Sequence, residues 1–180
     1  EKSGYVVKVI AVGSGQALKM GEQGNADVLL VHAPTDEKEF MEEGFGEARW
    51  LVMHNDFVIV GPADDPAGLK GIATAVEALQ KIADTEAVFV SRGDDSGTHK
   101  IELGLWKKAA ITPTASWYQE SGQGMAATLK IASEKSAYTL SDRATYLASQ
   151  NSLGLVLLFE GDPMLLNVYH AIAVSYTHLT

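Results

Sequence analysis

At 180 residues with 46% hydrophobic side chains, the chain can bury the core of one ordinary domain or two small lobes, which excludes a disordered tail. A formal net charge of −9 argues against nucleic acid as a partner, since phosphate-backbone binding needs a basic face, although an acidic protein can still hold an anion locally. Zero cysteines exclude disulfides, thiolate metal sites and cysteine nucleophiles.

In chain order, YVVKVIAV (Tyr5 to Val12) reads as a strand, and GSGQALKMGEQG (Gly13 to Gly24) as a glycine turn leading into a short helix that ends in glycine. DVLLVHA (Asp27 to Ala33) predicts a second buried strand. PTDEKEFMEEG (Pro34 to Gly44) predicts an acidic helix with Phe40 and Met41 as its apolar contacts, and WLVMHNDFVIV (Trp50 to Val60) is extended again. GPADDPAG (Gly61 to Gly68) is the clearest break, read as a crossing between lobes. After it, Leu69, Ile72, Val76, Leu79 and Ile82 step by three and four, the spacing of one helical face. Then come a strand (Ala87 to Val90), a polar turn, a helix (Thr98 to Ala110), a glycine turn (Ser121 to Gly124) and a helix to about Ser133. AYTL (Ala137 to Leu140), a helix capped by Ser141, and two extended runs (Gly154 to Phe159, Asn167 to Val174) complete the pattern, with the late runs returning to the first lobe. This is α/β organisation without a repeat or a low-complexity linker. No apolar run approaches the roughly 20 residues that span a bilayer.

The polar decapeptide SRGDDSGTHK (Ser91 to Lys100) sits at a strand-to-helix turn. In α/β sheets ligands lie beyond the carboxyl ends of strands, and Ser96, Gly97 and Thr98 open the following helix, where free N–H groups and the positive end of the dipole favour an anion. Gly97 permits close backbone approach, the Ser96 and Thr98 hydroxyls can donate, and Arg92 offers a planar fork suited to a tetrahedral oxyanion. The turn alone leaves another reading open, in which Ser96 or Thr98 is only an N-cap and Arg92 only pairs with Asp94 or Asp95. Arg92-Gly93-Asp94 also spells a cell-adhesion tripeptide, a match of low specificity. Ser96 and His99 with an aspartate could suggest a hydrolase, but the G-x-S-x-G elbow is missing from this turn. Trp117 and Tyr118 read as core aromatics. The five histidines show no metal-ligand spacing, so neither a metal nor a cofactor is expected.

SRGDDSGTHKIELGLWK, followed by WYQESGQGMAATL (Trp117 to Leu129) and AYTLSDRATYL (Ala137 to Leu147), resembles the tungstate-binding substrate receptors of bacterial ABC importers. So do VIAVGSGQALKMGEQGNADVLLVHAP (Val9 to Pro34) and MHNDFVIVGPADDPAGLKG (Met53 to Gly71). The resemblance implies a type II periplasmic-binding-protein-like fold of two α/β lobes around a cleft, closing about the ligand without enzymatic chemistry. It implies a first lobe at residues 1–62, a second at 63–160 and a return at 161–174. It also implies ligand contacts from Ser14 and Gly15, where the family more often has threonine at position 14, and from Arg92, Ser96, Gly97 and Thr98. The partners implied are tungstate or a related oxyanion such as molybdate, and a membrane permease. The location implied is the periplasm or the outer face of the membrane, the signal or lipid-anchor segment not being present in this chain. The family opens with a strand and a Thr/Ser-rich turn for which no match is found here, so the first lobe is expected to be incomplete, and residues 175–180 read as a foreign tail. An oxyanion-sensing effector domain of a transcriptional regulator, or a phosphate or sulfate receptor, are the alternatives.

Overall fold

The computed structural model describes residues 4–114 and 116–175. It is α/β and divides into two compact units, residues 1–53 with 168–180, and residues 54–167. The chain passes between them within two long strands, β2 (Gly46–Pro62) and β7 (Leu166–Val174).

The first unit begins with α1 (Ser14–Glu22), β1 (Val28–Val31) and α2 (Pro34–Glu42). β1 pairs antiparallel with β7, from Val28 opposite Ala173 to Val31 opposite His170. Only alternate residues of β1 are buried, Leu29 and Val31, so the run is half-buried instead of wholly buried as its unbroken apolar sequence suggests. They pack with Leu18, Phe40, Ile172 and Val174 into a small core, and Met41 lies against it. Pro34 opens α2 at a position where its missing N–H is no loss, and Asp36 and Glu37 occupy the first turn, where the dipole favours acid groups.

The strand expected over Tyr5 to Val12 is not formed. Tyr5, Val6, Val7 and Val9 are each at least 78% exposed, and no strand of the described residues pairs with this stretch. β-propensity describes how well a side chain suits a pleated, half-buried surface; it does not supply the neighbouring strand. The foreign tail expected over 175–180 lies outside the described residues except for Ser175, which donates from its N–H to the Phe45 carbonyl.

The second unit holds α3 (Ala75–Asp84), β3 (Phe89–Ser91), α4 (Gly97–Lys108), β4 (Tyr118–Glu120), α5 (Met125–Glu134), β5 (Thr139–Asp142), α6 (Arg143–Ser149) and β6 (Leu155–Phe159). β2 pairs antiparallel with β5 through Phe57 to Val60 and with β6 through Ile59 to Pro62. β3 runs parallel to β4 and is bridged in parallel to Tyr138 on its other side. Two cores result: one around Phe89, Trp106, Leu79 and Leu140, the other around Val58, Val90, Leu129 and Tyr146. Trp117 is buried in the first of these, among the rings of Trp106 and Tyr118, as a core aromatic.

Three boundaries differ from the sequence reading for identifiable reasons. The Gly61–Gly68 break lies inside the second unit. The hydroxyl of buried Tyr138 accepts from the Ala67 N–H and donates to Asp65, whose carboxylate also takes the N–H groups of Leu69 and Lys70. The turn is thereby fastened to the core, although its prolines and aspartates look like a linker. The helix expected from Leu69 starts only at Ala75, capped by Thr74; Gly71, at φ +84°, ends any earlier helical turn, and Leu69 is buried from a turn instead. Finally, β5 runs to Asp142, two residues past the expected end at Leu140, so Asp142, not Ser141, caps α6, accepting from the Thr145 N–H at 2.8 Å and its hydroxyl at 2.9 Å. Of the two late runs, β6 belongs with β2 in the second unit, and β7 contributes to the first.

Candidate functional site

The predicted contacts divide by unit. Ser14 and Gly15 lie in the first, and Arg92, Ser96, Gly97 and Thr98 come together in the second.

In the first unit, Gly13 is the N-cap of α1 and contributes no side chain, so Ser14 and Gly15 are the first two helical residues with their N–H groups beyond the reach of the helix's own carbonyls. The Ser14 hydroxyl accepts weakly from the His32 N–H at 3.3 Å, which ties it to the end of β1. The ring of His32 stacks on Tyr169 at 4.8 Å. Behind this corner Glu37, with no exposed surface, accepts from Arg49 Nε at 2.8 Å and Nη2 at 2.7 Å and from the Ala33 N–H at 2.7 Å, with His170 Nδ1 2.8 Å away. A buried carboxylate is tolerable only when paired and hydrogen-bonded in this way, and the arrangement sets the turn from β1 into α2. A hollow of about 380 Å³ between α1 and α2 also borders Gly15, but Glu22, Asp36, Glu39 and Glu43 line it, and their charge repels an anion.

In the second unit the turn from β3 to α4 is held on several sides. The Arg92 carbonyl accepts from the Gly122 N–H at 2.9 Å and the Ser121 hydroxyl at 3.3 Å, and the Ser91 carbonyl from the Ser121 N–H at 2.9 Å. Gly93 stands at φ +61°, and a Cβ there would lie 2.6 Å from Cβ of Glu120, so only glycine fits. Asp95 takes φ +56°, a left-handed conformation that aspartate tolerates better than most residues.

The polar groups of this turn are sorted by charge. Asp94 accepts from Arg92 Nη2 through Oδ2 and from the Ser96 N–H through Oδ1 at 3.2 Å. Burial would raise its carboxyl, but the hydrogen bonds from Ser96 and Arg92 outweigh that and hold it below the usual range. Asp95 is 87% exposed, its carboxylate 4.0 Å from Lys100. Ser96 caps α4, accepting from the His99 N–H at 3.4 Å. The N–H groups of Gly97 and Thr98, first and second in the helix, have no partner among the described residues. Arg92 Nε is buried and likewise unpartnered among them. Both readings of the turn are therefore visible at once: Ser96 is a cap and Arg92 does pair with Asp94, yet the pairing uses one end of the guanidinium and leaves Nε over. The same pairing, and the seating of Gly93 against Glu120, fold Arg92-Gly93-Asp94 into the turn instead of presenting it as an extended tripeptide.

Glu102, one turn and a half into α4, went unread in the sequence. It is 2% exposed; Oε2 accepts from the Ser91 hydroxyl at 2.8 Å, and Oε1 from Trp106 Nε1 at 3.1 Å and the Tyr118 hydroxyl at 2.7 Å. Ser91 Oγ in turn accepts from the Gly93 N–H at 3.2 Å. Burial pushes the Glu102 carboxyl above the ordinary glutamate value, the three hydrogen bonds offsetting only part of the effect. The available signal was its register, because Thr98, Glu102 and Leu105 share the buried face of α4.

The sequence matches the PBP superfamily domain over residues 1–179. This chain belongs to the PBP superfamily. Within it, the chain is 50% identical over 175 residues to the tungstate-binding protein TupA of Peptoclostridium acidaminophilum, covering 96% of this chain and 61% of that protein. It is similar to the solved tungstate-binding protein TupA of Desulfovibrio alaskensis, with 51% identity and a TM-score of 0.88 over 98% of this chain and 73% of that one. It is also similar to the solved tungstate ABC transporter protein of Geobacter sulfurreducens, with 51% identity and a TM-score of 0.75 over 95% of this chain and 74% of that one. The chain thus spans about three fifths of the length of the Peptoclostridium relative. Among the described residues no helix is long and apolar enough to cross a membrane.

Proposed function

We propose that this chain is the ligand-binding part of an extracytoplasmic receptor that captures a tetrahedral oxyanion, tungstate before molybdate, and delivers it to the permease of an ABC importer. The observation that carries the reading is the turn from β3 to α4, where the carboxylates are turned to other partners and donors are left over. The kinship with proteins named for tungstate binding points the same way. The role is binding; it requires no bond to be made or broken in the ligand.

In this reading Arg92 supplies the charge-assisted contact, Gly97 and Thr98 supply backbone N–H groups at the positive end of the α4 dipole, and the Ser96 and Thr98 hydroxyls add donors. Ser14 and Gly15 supply the corresponding group at the start of α1.

The donor character also sets selectivity. Phosphate near neutral pH still carries a proton and needs an acceptor, whereas tungstate, molybdate and sulfate are fully deprotonated and need donors only. The turn carries two carboxylates: both oxygens of Asp94 are engaged, and Asp95 is exposed beside Lys100. Isothermal titration against tungstate, molybdate, sulfate and phosphate tests the proposal: tungstate binds and phosphate fails to displace it at comparable concentrations. Displacement of tungstate by phosphate at matched concentration, or no tungstate binding, would overturn it.

A further inference from the structure

We propose that His99 is a further ligand-binding residue of this turn, donating its Nε2–H to the bound oxyanion. The inference rests on the oxyanion reading above and adds to it a donor that neither the motif nor the kinship assigned.

A neighbouring backbone N–H sets the tautomer of the His99 ring. His99 Nδ1 lies 3.1 Å from the Asp95 backbone N–H and accepts from it, so Nδ1 carries no proton. In the neutral ring the proton then sits on Nε2. That nitrogen is buried and has no hydrogen-bond partner among the described residues. Buried donors are nearly always satisfied, and one left over in a native fold calls for an explanation.

The acceptors nearby in sequence are already engaged. Asp94 gives one oxygen to Arg92 and the other to the Ser96 N–H. Asp95 is exposed, near Lys100. Glu102, one turn further along α4, shares its two oxygens among Ser91, Trp106 and Tyr118. What this short segment has in surplus is donors: Arg92 Nε, the N–H groups of Gly97 and Thr98, and His99 Nε2. The chemical complement of such a set is a ligand made of acceptors alone, which describes a fully deprotonated tetrahedral oxyanion. The Asp95 N–H therefore has a purpose beyond closing the turn, since by occupying Nδ1 it fixes which face of the imidazole donates. The left-handed backbone of Asp95, at φ +56°, is what holds that N–H toward the ring.

The test uses the full chain with tungstate as probe. In the unaltered protein labelled with ¹⁵N-histidine, long-range ¹H–¹⁵N correlation at pH 8 shows His99 as the Nε2–H tautomer, and its Nε2 resonance shifts on adding tungstate. By titration calorimetry His99→Ala binds tungstate about ten- to a hundredfold more weakly, the loss expected of one hydrogen bond to a charged acceptor. His99→Gln, whose side-chain amide can place a donor near the Nε2 position, recovers most of it. An Nδ1–H tautomer, an Nε2 resonance unmoved at saturating tungstate, or unchanged affinity in a folded His99→Ala variant would overturn the inference while leaving the oxyanion reading intact. Absence of tungstate binding by the unaltered chain would instead overturn the oxyanion reading, and this inference with it.

Discussion

Replacing Glu102 probes the support of the turn, because one carboxylate there serves three donors. Glu102→Leu takes the acceptor from Ser91, Trp106 and Tyr118 together. Ser91 and Trp106 are buried, and each orphaned donor costs about 1–3 kcal/mol, while the half-buried Tyr118 can turn to water. The sum of about 2–6 kcal/mol is reduced because the variant no longer buries a charge, leaving a net loss of about 2–4 kcal/mol. That is a large share of the roughly 5–15 kcal/mol that holds a domain folded. Glu102→Gln keeps an acceptor for Trp106 and Tyr118 and turns an amide donor toward Ser91, whose hydroxyl can accept; it costs about 1 kcal/mol. The pH dependence has a definite sign. Burial raises the Glu102 carboxyl in the folded state, so the folded chain holds this proton more readily than the unfolded one. Its contribution to stability is therefore fully present below the ordinary glutamate value and is lost as pH rises through the raised folded value. The advantage of the unaltered protein over Glu102→Gln should accordingly shrink as pH rises above the ordinary glutamate value. Urea unfolding followed by tryptophan fluorescence at several pH values measures both effects. A Glu102→Leu variant as stable as the parent, or an advantage over Glu102→Gln that grows with pH, would show that Glu102 does not hold the turn in this way.

Arg92→Ala is expected to cost about 3–5 kcal/mol of tungstate binding, as removing one partner of a buried charged pair does, and Arg92→Lys to recover little because an ammonium cannot reproduce the fork; calorimetry decides both. Gly93→Ala forces a side chain into the left-handed region and against Glu120 Cβ at 2.6 Å, so about 1–3 kcal/mol of stability and much of the affinity should go together, as thermal unfolding and titration will show. Asp142→Ala removes the cap of α6 and both of its bonds to Thr145, and should lower stability by about 1 kcal/mol in urea without changing tungstate affinity.

Much of the second unit was legible in the sequence because its signals are local. The strand, turn and helix around SRGDDSGTHK are marked by a change from a buried apolar run to a polar turn to a helical period, with a serine cap between, and all of these signals are local. The acidic helix after Pro34 was legible for the same reason. What depends on distant partners was not. Tyr5 to Val12 has strand composition, but a strand is completed by its neighbour. The Gly61–Gly68 turn reads as a linker, and only the Tyr138 hydroxyl, some seventy residues on, shows it to be packed. Glu102 and Glu37 look like surface acids until the donors that surround them are seen, and those come from other elements. The candidate site was legible as a cluster of donors around Arg92; that Asp94 spends both oxygens on the turn, and that His99 has an Nε2–H left over, are facts of geometry.

Whether the turn from β3 to α4 receives an oxyanion is decided by a crystal grown with tungstate. Anomalous diffraction at the tungsten absorption edge locates the metal atom without reference to any assumed position. One strong peak is expected, with the oxygens around it within hydrogen-bonding distance of the Arg92 guanidinium and the N–H groups of Gly97 and Thr98. A peak elsewhere in the chain, or none in a crystal soaked to saturation, would contradict it.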